Sequence, residues 1–122
     1  FMLESLKPLA ANGRVSMAVA KIAGVLGIRL VGKASDQGTL EPTNKCRGQQ
    51  KSLDALVENI VAAGLCKGKV RIAHCQNEVA AETFKEKLLT RCPQADAEIY
   101  TLRGLCSYYA EKGGLLVGYE KC

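Results

Sequence analysis

From residue 28 onward, segments of strand character alternate with segments of helical period, and this alternation most limits the folds open to the chain. Residues 28–34 and 39–46 read as strands joined through Ser35-Asp36-Gln37-Gly38, which predicts a hairpin. Pro42 marks its second strand as an edge or a bulge, because proline cannot donate to a sheet ladder. In residues 50–64, Leu53, Leu56, Val57, Ile60, Val61 and Gly64 recur at helical spacing. A strand over 67–75 follows. Asn77 is placed to cap a helix over 78–91, whose inner stripe is Ala81, Phe84, Leu88 and Cys92, with Pro93 closing it. Residues 97–102 and 115–120 read as further strands. No linker, repeat or low-complexity tract interrupts this order, so residues 1–122 form one domain. The pattern predicts an α/β (α+β) two-layer sandwich, a mixed sheet with helices on one face.

The first quarter of the chain reads as helical. Residues 2–11 place Leu3, Leu6 and Ala10 on one face, and Pro8 marks a helix start or a kink. Asn12-Gly13 is a stop signal, and Gly27 ends a second helix over residues 15–26. That helix has an inward stripe of Val15, Ala18, Val19, Ile22, Ala23 and Leu26. Its other side carries Met17, Ala20, Gly24 and Val25, leaving Ser16 and Lys21 as its polar members. A helix apolar nearly all round requires cover on two sides. One side rests on the sheet, and the other wants a partner domain or a ligand.

Composition narrows the function classes. With 48% hydrophobic residues, the chain can build a core. No apolar run reaches the roughly 18–20 residues of a membrane span, and residues 1–5 have no signal-peptide pattern. Phe1 in place of an initiator Met leads us to expect an excerpt from a longer protein. The six cysteines, at 46, 66, 75, 92, 106 and 122, include no closely spaced pair, and the lone His74 is not in zinc-motif spacing. Reduced, mostly buried thiols in a cytoplasmic protein are the expectation. The net charge of +5 is spread along the chain, and its six aromatics form no RNA-binding signature. No nucleic-acid partner is expected.

Residues 12–54 carry a resemblance. They read N-G-R-V-S-M-A-V-A-K-I-A-G-V-L-G-I-R-L, then G-T-L-E-P-x-x-K-x-R-G-x-x-K-S-L-D. This resembles the C-terminal domain of the DegV family of bacterial fatty-acid-binding proteins, which runs G-G-R-I-x-x-A-x-A-x-x-G-x-L-L-x-I-K-P and G-x-L-E-P-x-x-K-V-R-x-x-K-K-A-L. The resemblance is weaker over 70–89, where H-C-Q-N-E-V-A-A-E is similar to H-A-D-N-P-E-A-A-E, and weakest over 104–114. It implies a six-stranded mixed sheet and an absent N-terminal domain of about 100–150 residues. That absent domain would supply the hydroxyls that hold a fatty-acid carboxylate. It implies a long-chain fatty acid as ligand, no other cofactor, and a fatty-acid kinase as protein partner. The function so implied is a lipid-binding module without chemistry of its own. The alternatives are an enzyme domain for a small polar or phosphorylated substrate, and a pure protein-interaction domain.

Particular residues follow. Arg14 precedes a helix start, where free N–H groups and a guanidinium favour a carboxylate or phosphate; the plain alternative is a surface arginine. By resemblance Arg14 belongs to the head-group end of the acyl site, and Ile22 and Val25 belong to the acyl-chain wall. Lys45, Arg47 and Lys51 lie where a strand feeds a helix, either as solvated charge or, by resemblance, as a docking surface for the kinase. Aligning Gly113-Gly114 with the family segment G-T-H-T-G-P-G puts Ala110 at the head-group histidine, with Tyr109 and Glu111 at the two threonines. Tyr108 or Tyr109 would then supply a hydroxyl, Tyr109 being the head-group candidate. Glu111 would repel a carboxylate unless Lys112 or an arginine offsets it. His74 reads as a hydrogen-bonded structural histidine, since no nucleophile or orienting carboxylate accompanies it.

Overall fold

The structure is a computed structural model describing residues 1–23 and 27–122, with the backbone alone for Val19, Ile22 and Ala23. Its elements run β1 (Met2–Leu3), α1 (Lys7–Ala11), α2 (Met17–Ala23), β2 (Ile28–Ala34), β3 (Leu40–Arg47), α3 (Gln49–Ala62), β4 (Gly68–His74), α4 (Glu78–Arg91), β5 (Ala95–Thr101), α5 (Gly104–Ala110) and β6 (Leu115–Tyr119). One sheet has the order β3-β2-β1-β6-β4-β5. Among the described residues only β4 and β5 pair in parallel, joined through α4. The sheet is therefore mixed and six-stranded, as expected.

Residue alternation divides the core in two. Met2, Val31, Val70, Ile72 and Leu115 turn to one face, where Leu53, Leu56 and Ile60 of α3 and Phe84 and Leu88 of α4 cover them. The next residues along, Leu3 and Leu30, turn to the other face. There they meet Leu6 at the start of α1, Leu9 within it, Ala20 of α2 and Ala110 of α5. The long helices thus form the expected single layer. The short helices add a cap over the β1–β2 region of the opposite face. Beyond that cap, the β4–β5 part of this face is polar. Arg71 pairs there with Asp96 at 3.4 Å and Glu98 at 3.6 Å. Tyr100 donates to the Glu98 carboxylate, which raises its phenol above the usual tyrosine range.

Three local expectations need correction, and one helix is added. Residues 2–11 are not one helix: Met2 and Leu3 pair with β2, and Met2 also with β6 in the middle of the sheet. Pro8 marks the start of the helix that remains, where its missing N–H costs nothing. The second helix begins at Met17, and the structure buries Ala20 while leaving Ala18 exposed, the reverse of the expected stripe. A helix apolar on both sides carries no pattern to orient it. Residues 104–110 form a helix the periodicity did not reveal, because Leu105, at 69% exposure, faces away from the core. Finally, the thiols are neither all reduced nor mostly buried. Cys66 and Cys122 are bridged, and of the other four only Cys92 is buried.

Asn77 does cap α4: its side-chain oxygen accepts from the Ala80 N–H at 3.4 Å, while its amide nitrogen donates to the Gly113 carbonyl at 3.0 Å. Asn77→Ala removes both contacts and is expected to cost about 1–2 kcal/mol in urea unfolding. An unchanged midpoint would show that the cap is dispensable.

Candidate functional site

The turn between α5 and β6 is held against the end of β4. The Gly113 N–H donates to the Cys75 carbonyl at 2.8 Å, and the Cys75 N–H returns a bond to the Gly114 carbonyl at 3.0 Å. Gly113 has φ +96°, and a Cβ there would meet the Glu4 carboxylate at 2.7 Å. Glu4 is itself fixed by Arg29, whose Nη2 lies 2.6 Å from its Oε1. Glu111 adopts φ 57° and ψ 170°, a positive-φ conformation rare for a side-chain-bearing residue.

Beside this turn lies a shallow cleft of about 570 Å³, lined by Glu4, Ser5, Ser107, Tyr108, Glu111 and Lys112. Three hydroxyls and one ammonium can donate hydrogen bonds there, and two carboxylates leave the lining with one net negative charge. Lys112 and Glu111 share the cleft, so the cation needed to offset Glu111 is at hand. Glu4, Ser5 and Ser107 went unnoticed in the sequence. Nothing local marks them, since residues from the two ends of the chain meet only when β1 joins β6.

The expected site residues divide as follows. Arg14 sits in the connection from α1 to α2 with its side chain exposed, and its N–H donates to the Leu9 carbonyl at 2.7 Å. Its neighbour Val15 and the other head-group candidate, Tyr109, both pack on the same apolar cluster. Tyr109 is half-buried in that cluster, whereas Tyr108 is 56% exposed and lines the cleft; their rings meet edge to face at 5.2 Å. The side chain of Ile22 and the whole of Val25 lie outside the described residues. Lys45 and Arg47 pair in register with Leu30 and Ile28. They therefore project from the sheet face that carries the short helices. Lys51 stands apart on α3, which covers the other face. His74 is buried and its Nδ1 accepts the Asn77 N–H at 3.1 Å, a structural role. Among the described residues no cluster of three or more potential metal ligands occurs, and no helix is long and apolar enough to cross a membrane.

Comparison with known proteins places this geometry. The model of the DegV family of uncharacterised proteins matches residues 1–121. A DegV domain-containing protein of Streptococcus pyogenes serotype M3 is 49% identical over 120 residues, covering 98% of this chain and 43% of that protein. The chain thus spans less than half the length of the curated relatives it matches. A DegV family protein from Eubacterium eligens loaded with heptadecanoic acid superposes with a TM-score of 0.95 at 45% identity, covering 99% of this chain and 44% of that one. The Streptococcus pneumoniae Fatty Acid Kinase (Fak) B3 protein loaded with linoleic acid also superposes with a TM-score of 0.95, at 43% identity, covering 99% and 43%.

Proposed function

Because this chain belongs to the DegV family, we propose that it forms part of a long-chain fatty-acid site completed by an N-terminal domain of the parent protein. The observation that carries this reading is the near-coincidence of its fold with two fatty-acid-loaded structures. The acyl chain lies between the two domains, with Ile22 and Val25 in its wall. Met17, 62% exposed on α2, supports an apolar surface on that helix awaiting cover. Arg14 and the tyrosine pair of α5 stand at the head-group end. Ala110, buried at 2% exposure and without a side-chain donor, leaves that task to hydroxyls and cations nearby.

The module binds and presents its ligand and performs no chemistry. A fatty-acid kinase, the cytoplasmic partner in this reading, phosphorylates the carboxylate and docks near Lys45, Arg47 and Lys51. Support for the kinase comes from the likeness to the pneumococcal Fatty Acid Kinase (Fak) B3 protein. The exposure of Lys45 and Arg47 on one sheet face supports such docking, whereas Lys51, also exposed, stands on α3 over the other face.

Two tests bear on the ligand. Each buried methylene contributes about 0.8 kcal/mol, so affinity should rise roughly fourfold per carbon until the pocket is full. Arg14→Ala in the full-length protein should weaken binding about 10- to 100-fold by removing a charge-assisted hydrogen bond. Calorimetric titration with a fatty-acid series checks both. Affinity independent of chain length and of Arg14 would contradict the proposal.

A further inference from the structure

Cys66 lies between α3 and β4, and Cys122 lies just beyond β6. Their Cα atoms are 6.1 Å apart and they are joined across 56 residues of sequence. Backbone contacts bring them together independently of the bridge. The Cys122 N–H donates to the Gly64 carbonyl at 3.0 Å, and the Glu120 N–H to the Lys69 carbonyl at 3.0 Å. The Glu120 carboxylate accepts from the Lys69 N–H at 2.9 Å. The fold therefore presents two exposed cysteines as a preformed pair. The four remaining thiols differ: Cys92 is buried against the Leu65 carbonyl, Cys75 faces the Ser107 carbonyl, Cys46 is half-buried on β3, and Cys106 is exposed without a disulfide partner. Lys67 and Lys121 adjoin the pair in sequence and favour the approach of an anionic reagent.

We propose that Cys66 and Cys122 form a reversible redox latch, clamping the segment after β6 to the α3–β4 turn through exchange with a low-molecular-weight disulfide of the glutathione type. One cysteine thiolate attacks a sulfur of the small disulfide, forming a mixed disulfide and releasing one small thiolate. The second cysteine thiolate then attacks the protein sulfur of that mixed disulfide. The Cys66–Cys122 bond forms and a second small thiolate leaves. The two cysteine sulfurs are oxidised, the small disulfide is reduced to two thiols, and these take up the two protons. Excess small thiol reverses the sequence. The latch holds the tail end of β6, whereas the cleft adjoins its other end at Leu115. Opening it frees the tail and leaves the cleft turn in place. This inference does not depend on the ligand proposed above.

The test uses the full-length protein equilibrated in glutathione buffers of varied ratio, with peptide mapping and amide hydrogen exchange. The latch predicts a Cys66–Cys122 linked peptide in oxidised glutathione that disappears in excess reduced glutathione. On opening, the Lys69, Glu120 and Cys122 amides should exchange about tenfold faster or more, while those of Cys75 and Gly113 hold. Cys122→Ser should show the fast exchange in every buffer, and Cys106→Ser should switch like the parent. Failure to form the linked peptide in oxidised glutathione, or a linked peptide that leaves tail exchange unaltered, would overturn the proposal.

Discussion

Phe84→Ala is expected to lower the unfolding free energy of this domain by about 3–5 kcal/mol, the usual loss for deleting a fully buried aromatic side chain. Phe84 is wholly buried on α4 and packs in the cluster that joins α3, α4 and β4. The leucines and valines of that cluster come from β2, α3, the α3–β4 turn, β4, α4 and β6, so they cannot close onto the void together. A loss of this size takes up a large part of a typical domain's margin of stability. Urea unfolding of the variant, followed by circular dichroism, reads the effect. A change below about 1 kcal/mol would mean that the core can collapse around the site.

Gly114→Ala comes next, with an expected loss of about 1–3 kcal/mol. A methyl group there would stand 2.6 Å from the Ala110 carbonyl oxygen and 3.1 Å from Leu3 Cδ2. The first obstacle is backbone and cannot rotate away. Relief would have to come from moving α5 off β1 or pulling the turn from β4, where the Gly114 carbonyl accepts the Cys75 N–H. Either movement opens the cleft lined by Ser5, Ser107 and Tyr108. The variant should therefore lose fatty-acid affinity in the full-length protein as well as stability. Stability and affinity both within error of the parent would show that the turn is soft, contrary to the packing described.

Both predictions rest on parts of the fold that the sequence revealed unevenly. The helices α3 and α4 were readable because each has one apolar stripe and a polar back, so period and orientation agree. Asn77 was readable as a cap for the same reason, standing just before a clean stripe. The hairpin β2–β3 was marked by its turn residues, and Pro42 marked both the edge and the bulge: β3 is the edge strand, and its extra residue, Thr43, lies between Pro42 and Asn44 opposite the Val31–Gly32 step. β1 was hidden because two residues carry no periodicity, and their strand character comes wholly from the partners on either side. α5 was hidden because its apolar residues Leu105 and Tyr108 face outward.

At the site, the motif around Arg14 pointed to a ligand class through resemblance, while its local chemistry alone favoured a plain surface arginine. The cleft was not legible at all. Glu4 and Ser5 reach Ser107 and Lys112 through the pairing of β1 with β6, and no local signal encodes so distant a contact. The Cys66–Cys122 pair escaped for the same reason, since the spacing of 56 residues is unlike any local thiol motif.

Native mass spectrometry of the full-length protein, with lipid extraction of the same sample, tests the central claim most directly. The account predicts a bound long-chain fatty acid, recovered on extraction and diminished in the Arg14→Ala variant. A protein that flies empty, yields no acyl chain and does not take one up on titration would contradict it.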